Sequence, residues 1–402
     1  MTNQTTNKDT CSDRRTVQFV NHHSYNRTDF GARTHCRVAT SFGLGLCLLA
    51  VTSLSTGATT VDDVVAAEMK EHHIFGVSLA IIENGEIRQA KGYGFTDQTR
   101  RTPITTATLF QAGSVSKPVA ALGALRLVEA GRLSLDDDVN QWLKQWKMPE
   151  NQFTKDEKVT LRRILSHSAG LTVHGFPGYA VGARLPTLVQ ILDGVKPANT
   201  PAIRVDVIPG STSRYSGGGY TVMQQMIIET TGKPFPEFMQ QAVLTPLRMS
   251  ASTYEQPLPK EKAATTATGY YADGNEVKGK WHIYPEMAAA GLWTTASDLA
   301  RFAIGIQQAM AGKANPVISQ SMTRQMLTVQ KGNSGLGFGL GGSGKTLSFA
   351  HGGRDEGFDT FLMAYAETGQ GVVIMVNAND NSGAVQRIMG AVNREYHWPD
   401  SP

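Results

Sequence analysis

The chain has 402 residues, 41% hydrophobic and 18% charged, with 41 glycines and 17 prolines. That composition excludes a disordered, collagenous or coiled-coil chain, and the length fits a large two-lobed unit or two domains better than one simple core. A net charge of +4 without a long Lys/Arg block gives nucleic acid no compositional support, and with Cys11, Cys36 and Cys47 all near the start, the rest of the chain has no disulfide scaffold, four-cysteine zinc site or cysteine nucleophile.

Residues 1–58 read as an extension outside the fold. Phe42 to Val51 is a ten-residue apolar run preceded by Arg33 and Arg37, with Thr56 and Ala58 at plausible cleavage positions. This is the pattern of a signal-peptide core, and it is too short for a spanning helix. It predicts export to the periplasm or medium, with retention of residues 38–52 as an anchor left open. Beyond it, basic and acidic side chains nearly balance and no apolar run approaches the ~20 residues a span needs, so no stable membrane insertion is expected of the mature part.

Val61 to Glu71 has helical periodicity with a cap at Thr60. Gly76 to Ile82 and Ile87 to Gly94 flank Asn84-Gly85 and predict a β-hairpin. Ser114 to Ala130 predicts a helix that opens at a serine and closes at Gly131. Short helices are expected over Asp136–Trp146 and Thr160–Leu165, and residues 172–214 read as loop-rich. Further helices are expected over Tyr220–Gly232, Phe235–Leu247, Ser297–Met310 and Ser319–Met326. Thr346–Ala350, Thr360–Tyr365 and Gly371–Asn377 predict strands, and Ser382–Tyr396 a closing helix. Strands at both ends and helices between them imply one antiparallel sheet built from the terminal strands, with the helical middle as a separate lobe.

Three short segments carry chemistry. Ser114 and Lys117 sit one helical turn apart on one face, where a lysine eases deprotonation of a serine and backbone N–H groups at a helix start can hold an oxyanion. Taken alone, the pair reads more simply as an N-cap serine beside a solvated lysine. Tyr215 lies on a glycine-rich turn before a helix; near an ammonium its phenol would ionise more easily and act as a base, although a packing tyrosine is the simpler reading of that segment alone. His351-Gly352-Gly353-Arg354 ends a strand, and its glycines would let a substrate backbone approach the sheet edge.

Taken in order, Ser114-x-x-Lys117, Tyr215-Ser216-Gly217 and His351-Gly352-Gly353 make the chain resemble the serine β-lactamase and penicillin-binding protein superfamily. The resemblance is to its class C-like branch, which also holds esterases and D-amino-acid peptidases. It covers roughly residues 60–397 and extends to Leu165-Ser-His-Ser-Ala-Gly-Leu171 and Ala290-Gly-Leu-Trp-Thr-Thr-Ala-Ser-Asp298.

The resemblance implies an α+β fold, with a central antiparallel sheet flanked by helices and a mostly helical lobe (about residues 132–285) inserted into a domain spanning 59–402. It implies Ser114 as acylated nucleophile, Lys117 and Tyr215 as the proton-transfer pair, and the N–H groups of Ser114 and Arg354 as the oxyanion hole. His351, Gly353 and Gly217 would face substrate. It implies no metal or organic cofactor, and a small-molecule or peptide substrate.

Two departures bear on that substrate. Gly217 stands where many members carry Asn, and His351 where many carry Lys. An imidazole of ordinary pKa is mostly neutral at pH 7 and holds a carboxylate less strongly than an ammonium. Both departures favour an ester or D-amino-acid amide over a β-lactam. A β-lactamase or penicillin-binding protein is the rival enzyme, and a non-catalytic binding scaffold the rival of another class.

Gly339 to Thr346 matches the phosphate-loop pattern G-x-x-x-x-G-K-[ST], but a strand rather than a helix is expected to follow it, so it reads as a hairpin. His72-His73 and Asp136-Asp137-Asp138 lack metal-ligand spacing. His167 reads as structural.

Overall fold

Two runs at opposite ends of the chain, Gly76–Glu83 and Gly371–Val376, are buried at nearly every position. Such continuous burial requires an interior strand covered on both faces. In the computed structural model, which describes residues 59–398, these runs lie side by side, antiparallel, with Val77 opposite Val376 and Leu79 opposite Ile374. The leader expected at 42–51 lies outside the described residues.

In chain order the sheet strands are β1 (Gly76–Glu83), β2 (Glu86–Gly94), β3 (Gly339–Gly341), β4 (Ser348–Asp355), β5 (Phe358–Tyr365) and β6 (Gly371–Val376). They form one antiparallel sheet in the order β2-β1-β6-β5-β4-β3. The β1–β2 turn is the expected Asn84-Gly85, both at positive φ.

Side-chain alternation splits the core in two. Val77, Leu79, Ile81, Val372, Ile374 and Val376 face helices α1 (Val61–Glu71) and α5 (Ala384–Glu395). Ala80, Ile82, Val373 and Met375 join the larger core on the other face, which includes α2 (Ser116–Glu129), α3 (Gly217–Thr231) and α4 (Ala296–Met310). Burial of each Val, Leu or Ile contributes roughly 1.5–3 kcal/mol, so the terminal segments are held by apolar packing on both sides. The fold is α+β, a six-stranded antiparallel sheet with helices on both faces. Among the described residues no helix is long and apolar enough to cross a membrane.

Four local expectations change. The α-helix starts at Ser116, and Ser114 lies in a preceding 3-10 turn, Gly113–Val115. Asp136–Trp146 forms only a 3-10 turn at Val139–Gln141, because Ser134 Oγ accepts from the Asp136 and Asp137 N–H groups and Asp138 caps Asn140, a local bonding pattern that competes with helix. The helix at Phe235–Met239 widens into a π-helical turn over Gln240–Leu244. The strand carrying His351 runs on to Asp355 rather than ending in a turn. The phosphate-loop match falls on β3 and a 3-10 turn followed by β4, so the helix that such a loop requires is replaced by a strand.

Candidate active site

Ser114 is held by what surrounds its turn. Phe110–Gln111 pairs with Trp293–Thr294, and the Ala112 N–H donates to the Leu292 carbonyl. Ser116 fixes the other side: its Oγ accepts from the Leu292 N–H and its carbonyl accepts from the Tyr254 hydroxyl. Strand β4 then passes against the turn. A Cβ on Gly353 would fall 2.0 Å from the Ala112 carbonyl oxygen and 2.9 Å from the Ser114 nitrogen. One on Gly113, at φ +52°, would fall 2.5 Å from the Arg354 nitrogen. Only glycine permits this approach. It sets the backbones of Ser114 and Arg354, the two expected oxyanion donors, side by side. The Arg354 guanidinium is engaged elsewhere, in a fork to Asp359 and a bond to Asn381.

Lys117 is 2% exposed. Its Nζ donates to Ser114 Oγ at 2.9 Å and to the Ala289 carbonyl at 2.8 Å, and lies 5.0 Å from the centre of the Tyr215 ring. Burial pulls this lysine down to about 7, against the opposing charge of Asp355. Near neutral pH a substantial fraction is therefore free amine, able to accept the serine proton. Ala289 belongs to a short helical turn, Met287–Ala290, clamped by Gln224: its Oε1 accepts from the Ala288 N–H and its Nε2 donates to the Pro285 carbonyl.

Tyr215 precedes α3. The Arg214 N–H donates to the His167 carbonyl, and the Ser216 N–H donates to His167 Nδ1. Ser216 Oγ caps α3 by accepting from the Gly219 N–H. The phenol behaves in the direction opposite to expectation. Burial raises its pKa, with only the Ser114 hydroxyl working the other way, so it stays protonated and the lysine is the group drawn toward neutrality. A cation placed beside a phenol favours phenolate only while it stays charged.

His351 lies near Tyr215, ring centres 6.2 Å apart. Desolvation, then the Lys117 charge, lowers its pKa, so it is neutral at pH 7. Its Nδ1 is 2.6 Å from the Gly352 carbonyl, which can only accept. The ring proton therefore sits on Nδ1 and leaves Nε2 as an acceptor. Gly217 is buried under the 174–176 segment: a Cβ there would meet the His174 carbonyl and the Phe176 ring at 3.0 Å each. An Asn side chain would need that segment to move, which accounts physically for glycine at this position. His167 packs its ring 4.2 Å from Tyr215 at positive φ, and its buried Nε2 has no hydrogen-bond partner among the described residues. Burial, then the Lys117 charge, lowers its pKa well below the usual range.

Two acids escaped sequence reasoning. Glu286 is 0% exposed and Asp355 3% exposed, and none of their four carboxyl oxygens has a hydrogen-bond partner among the described residues. Burial pushes Glu286 up to about 8 and raises Asp355 well above the usual carboxylate range. For Glu286 the available signal was an acid directly before a run of small and apolar residues, Met287–Leu292; Asp355, between Arg354 and Glu356, offered none. Among the described residues, no three His, Cys, Asp or Glu side chains converge as a metal site would require. His72 contacts Glu68 and the Arg387 guanidinium instead.

The Beta-lactamase family model matches residues 61–392. Protein flp of Staphylococcus aureus (strain N315) is 25% identical over 334 residues, covering 79% of this chain and 63% of flp, so the match spans less than two thirds of that relative. Among solved structures, EstCE1, a hydrolase with promiscuous acyltransferase activity, superposes with TM-score 0.69 at 21% identity, covering 83% of this chain and 97% of that one. The D-alanine carboxypeptidase AmpC from Burkholderia cenocepacia gives TM-score 0.65 at 21% identity, with the same two coverages.

Proposed function

Because the chain belongs to the Beta-lactamase family, we propose that it is a serine hydrolase forming an acyl-enzyme on Ser114, with an ester or D-amino-acid amide or peptide as substrate. The observation that carries this reading is the buried Lys117, its Nζ 2.9 Å from Ser114 Oγ and a substantial fraction of it uncharged near neutral pH. As a free amine Lys117 accepts the serine proton while Oγ attacks the carbonyl carbon. The backbone N–H groups of Ser114 and Arg354 stabilise the oxyanion. Tyr215, kept protonated by burial, passes a proton to the leaving group, and Lys117 and Tyr215 then move protons in the reverse sense as water releases the acyl group.

The substrate class follows from what faces the serine. A neutral His351 with its proton committed to Gly352 presents an acceptor, which repels rather than anchors a substrate carboxylate. Gly217 supplies no amide, and Phe176 occupies the space one would take. These features favour an uncharged acyl donor over a penicillin-like carboxylate. The same reading takes residues 1–58 as an export leader, 59–402 as the hydrolase domain and about 132–285 as its helical lobe.

Hydrolysis of p-nitrophenyl butyrate by the wild-type chain and by Ser114→Ala tests the reading. The variant is expected to lose at least about 10³-fold in rate while remaining folded by circular dichroism. Equal rates would overturn Ser114 as nucleophile. A stable adduct without turnover would support a binding scaffold, and faster turnover of a chromogenic cephalosporin than of the ester would support a β-lactamase.

A further inference from the structure

Asp355 is the last residue of β4, the strand pressed against the nucleophile turn. Its neighbour Arg354 reaches Gly113, one residue before Ser114, whose hydroxyl accepts from Lys117. The carboxyl is thus buried at the end of the strand that lies against the nucleophile turn, yet neither oxygen has a hydrogen-bond partner and it makes no ion pair among the described residues. An unpartnered buried carboxyl costs stability and is rare in folded proteins. At two other buried acids the chain avoids that cost, since Asp359 is forked to Arg354 and Glu68 to Arg387. A buried, unpartnered acid on the strand against the nucleophile turn therefore requires a separate account.

Resting on the serine-hydrolase reading, we infer that Asp355 is a positioning residue that acts through Lys117: its carboxyl sets the pH at which the lysine becomes the free amine that activates Ser114. The two groups titrate as a pair. Whenever Asp355 is ionised it favours the ammonium and delays the amine; when protonated it exerts no such hold. The other titratable groups against the lysine, Tyr215, Tyr220, His167 and His351, are held neutral by burial at pH 7. Glu286 and Glu356 act on Asp355 and oppose its ionisation, while Lys117 and the nearby Gly113 N–H, which falls outside hydrogen-bond geometry, favour it. Removal of the carboxyl can only make the amine appear at the same pH or a lower one.

The test is the rate at which a fluorophosphonate labels Ser114 between pH 5 and 9, in wild type, Asp355→Asn and Asp355→Ser. In that reaction the serine oxygen displaces fluoride from phosphorus and the serine proton passes to Lys117. Because both rates are measured on one probe, a general loss of reactivity cancels in the pH dependence of the variant-to-wild-type ratio. The expected result is an acid limb displaced to lower pH in whichever variants fold, the ratio rising about fivefold from pH 8.5 to pH 6 for a displacement of one unit. A purely structural role for Asp355 lowers the rate equally at every pH, and a ratio constant with pH overturns the inference. Absence of labelling in the wild type overturns the serine-hydrolase reading itself, and the inference with it.

Discussion

Two buried acids, Asp298 and Glu286, stand only a dozen residues apart and are treated in opposite ways. Asp298, in the first turn of α4, is 1% exposed. Its Oδ2 accepts from the Ala251 and Ser252 N–H groups and the Ser252 hydroxyl, and its Oδ1 from Arg301. Glu286, beside the turn that supplies the Ala289 carbonyl to Lys117, is 0% exposed and has no partner on either oxygen among the described residues. The bonds of Asp298 tie the start of α4 to the 251–252 segment. Around Ser114, among the described residues, the fold leaves Glu286 and Asp355 unpaired and Lys117 bonded only to neutral oxygens. Unsatisfied ionisable groups concentrate where charge states are being set, at the cost of stability.

The comparison breaks if the two acids respond alike to neutralisation. The largest effect is expected at Asp298. Asp298→Ala leaves the Ala251 and Ser252 N–H groups without their acceptor and the Ser252 hydroxyl with only Thr294, and chemical denaturation should show a loss of about 2–4 kcal/mol. Glu286→Gln should act in the opposite direction and by less. The folded-state pKa of Glu286 is raised to about 8 from an ordinary 4.5. Its contribution is thus fully present below about 4.5 and is lost as pH rises through 8. The amide cannot ionise, so the variant should match wild type near pH 4.5 and exceed it by on the order of 1–3 kcal/mol by pH 8. Denaturation midpoints at those two pH values check it. A pH-independent loss in Glu286→Gln would place this residue with Asp298 as a structural acid.

Much of this was legible in the sequence. The apolar runs of β1 and β6, the Asn84-Gly85 turn and the Thr60 cap are local signals, and the structure follows them. The order Ser114, Lys117, Tyr215, His351 was legible as a resemblance. Its conversion into geometry depends on Gly353 and Gly113, whose role appears only when two distant backbones meet. The reversed behaviour of Tyr215 was not legible, because desolvation depends on what covers a group and not on its sequence neighbours. The same holds for Glu286 and Asp355, whose burial is set by tertiary packing. The failed helix at Asp136–Trp146 had a local cause, the serine and aspartate side chains bonding their own backbone, which apolar periodicity does not register.

The central claim is that Lys117, as a free amine near neutral pH, activates Ser114. The most direct measurement is the pH dependence of kcat/KM for p-nitrophenyl butyrate in the wild-type chain. A lysine drawn down to about 7 predicts a single acid limb centred near that pH, with a plateau above it. Activity that stays level from pH 8 down to pH 5, or a limb centred near 4 as a carboxylate base would give, would contradict the account.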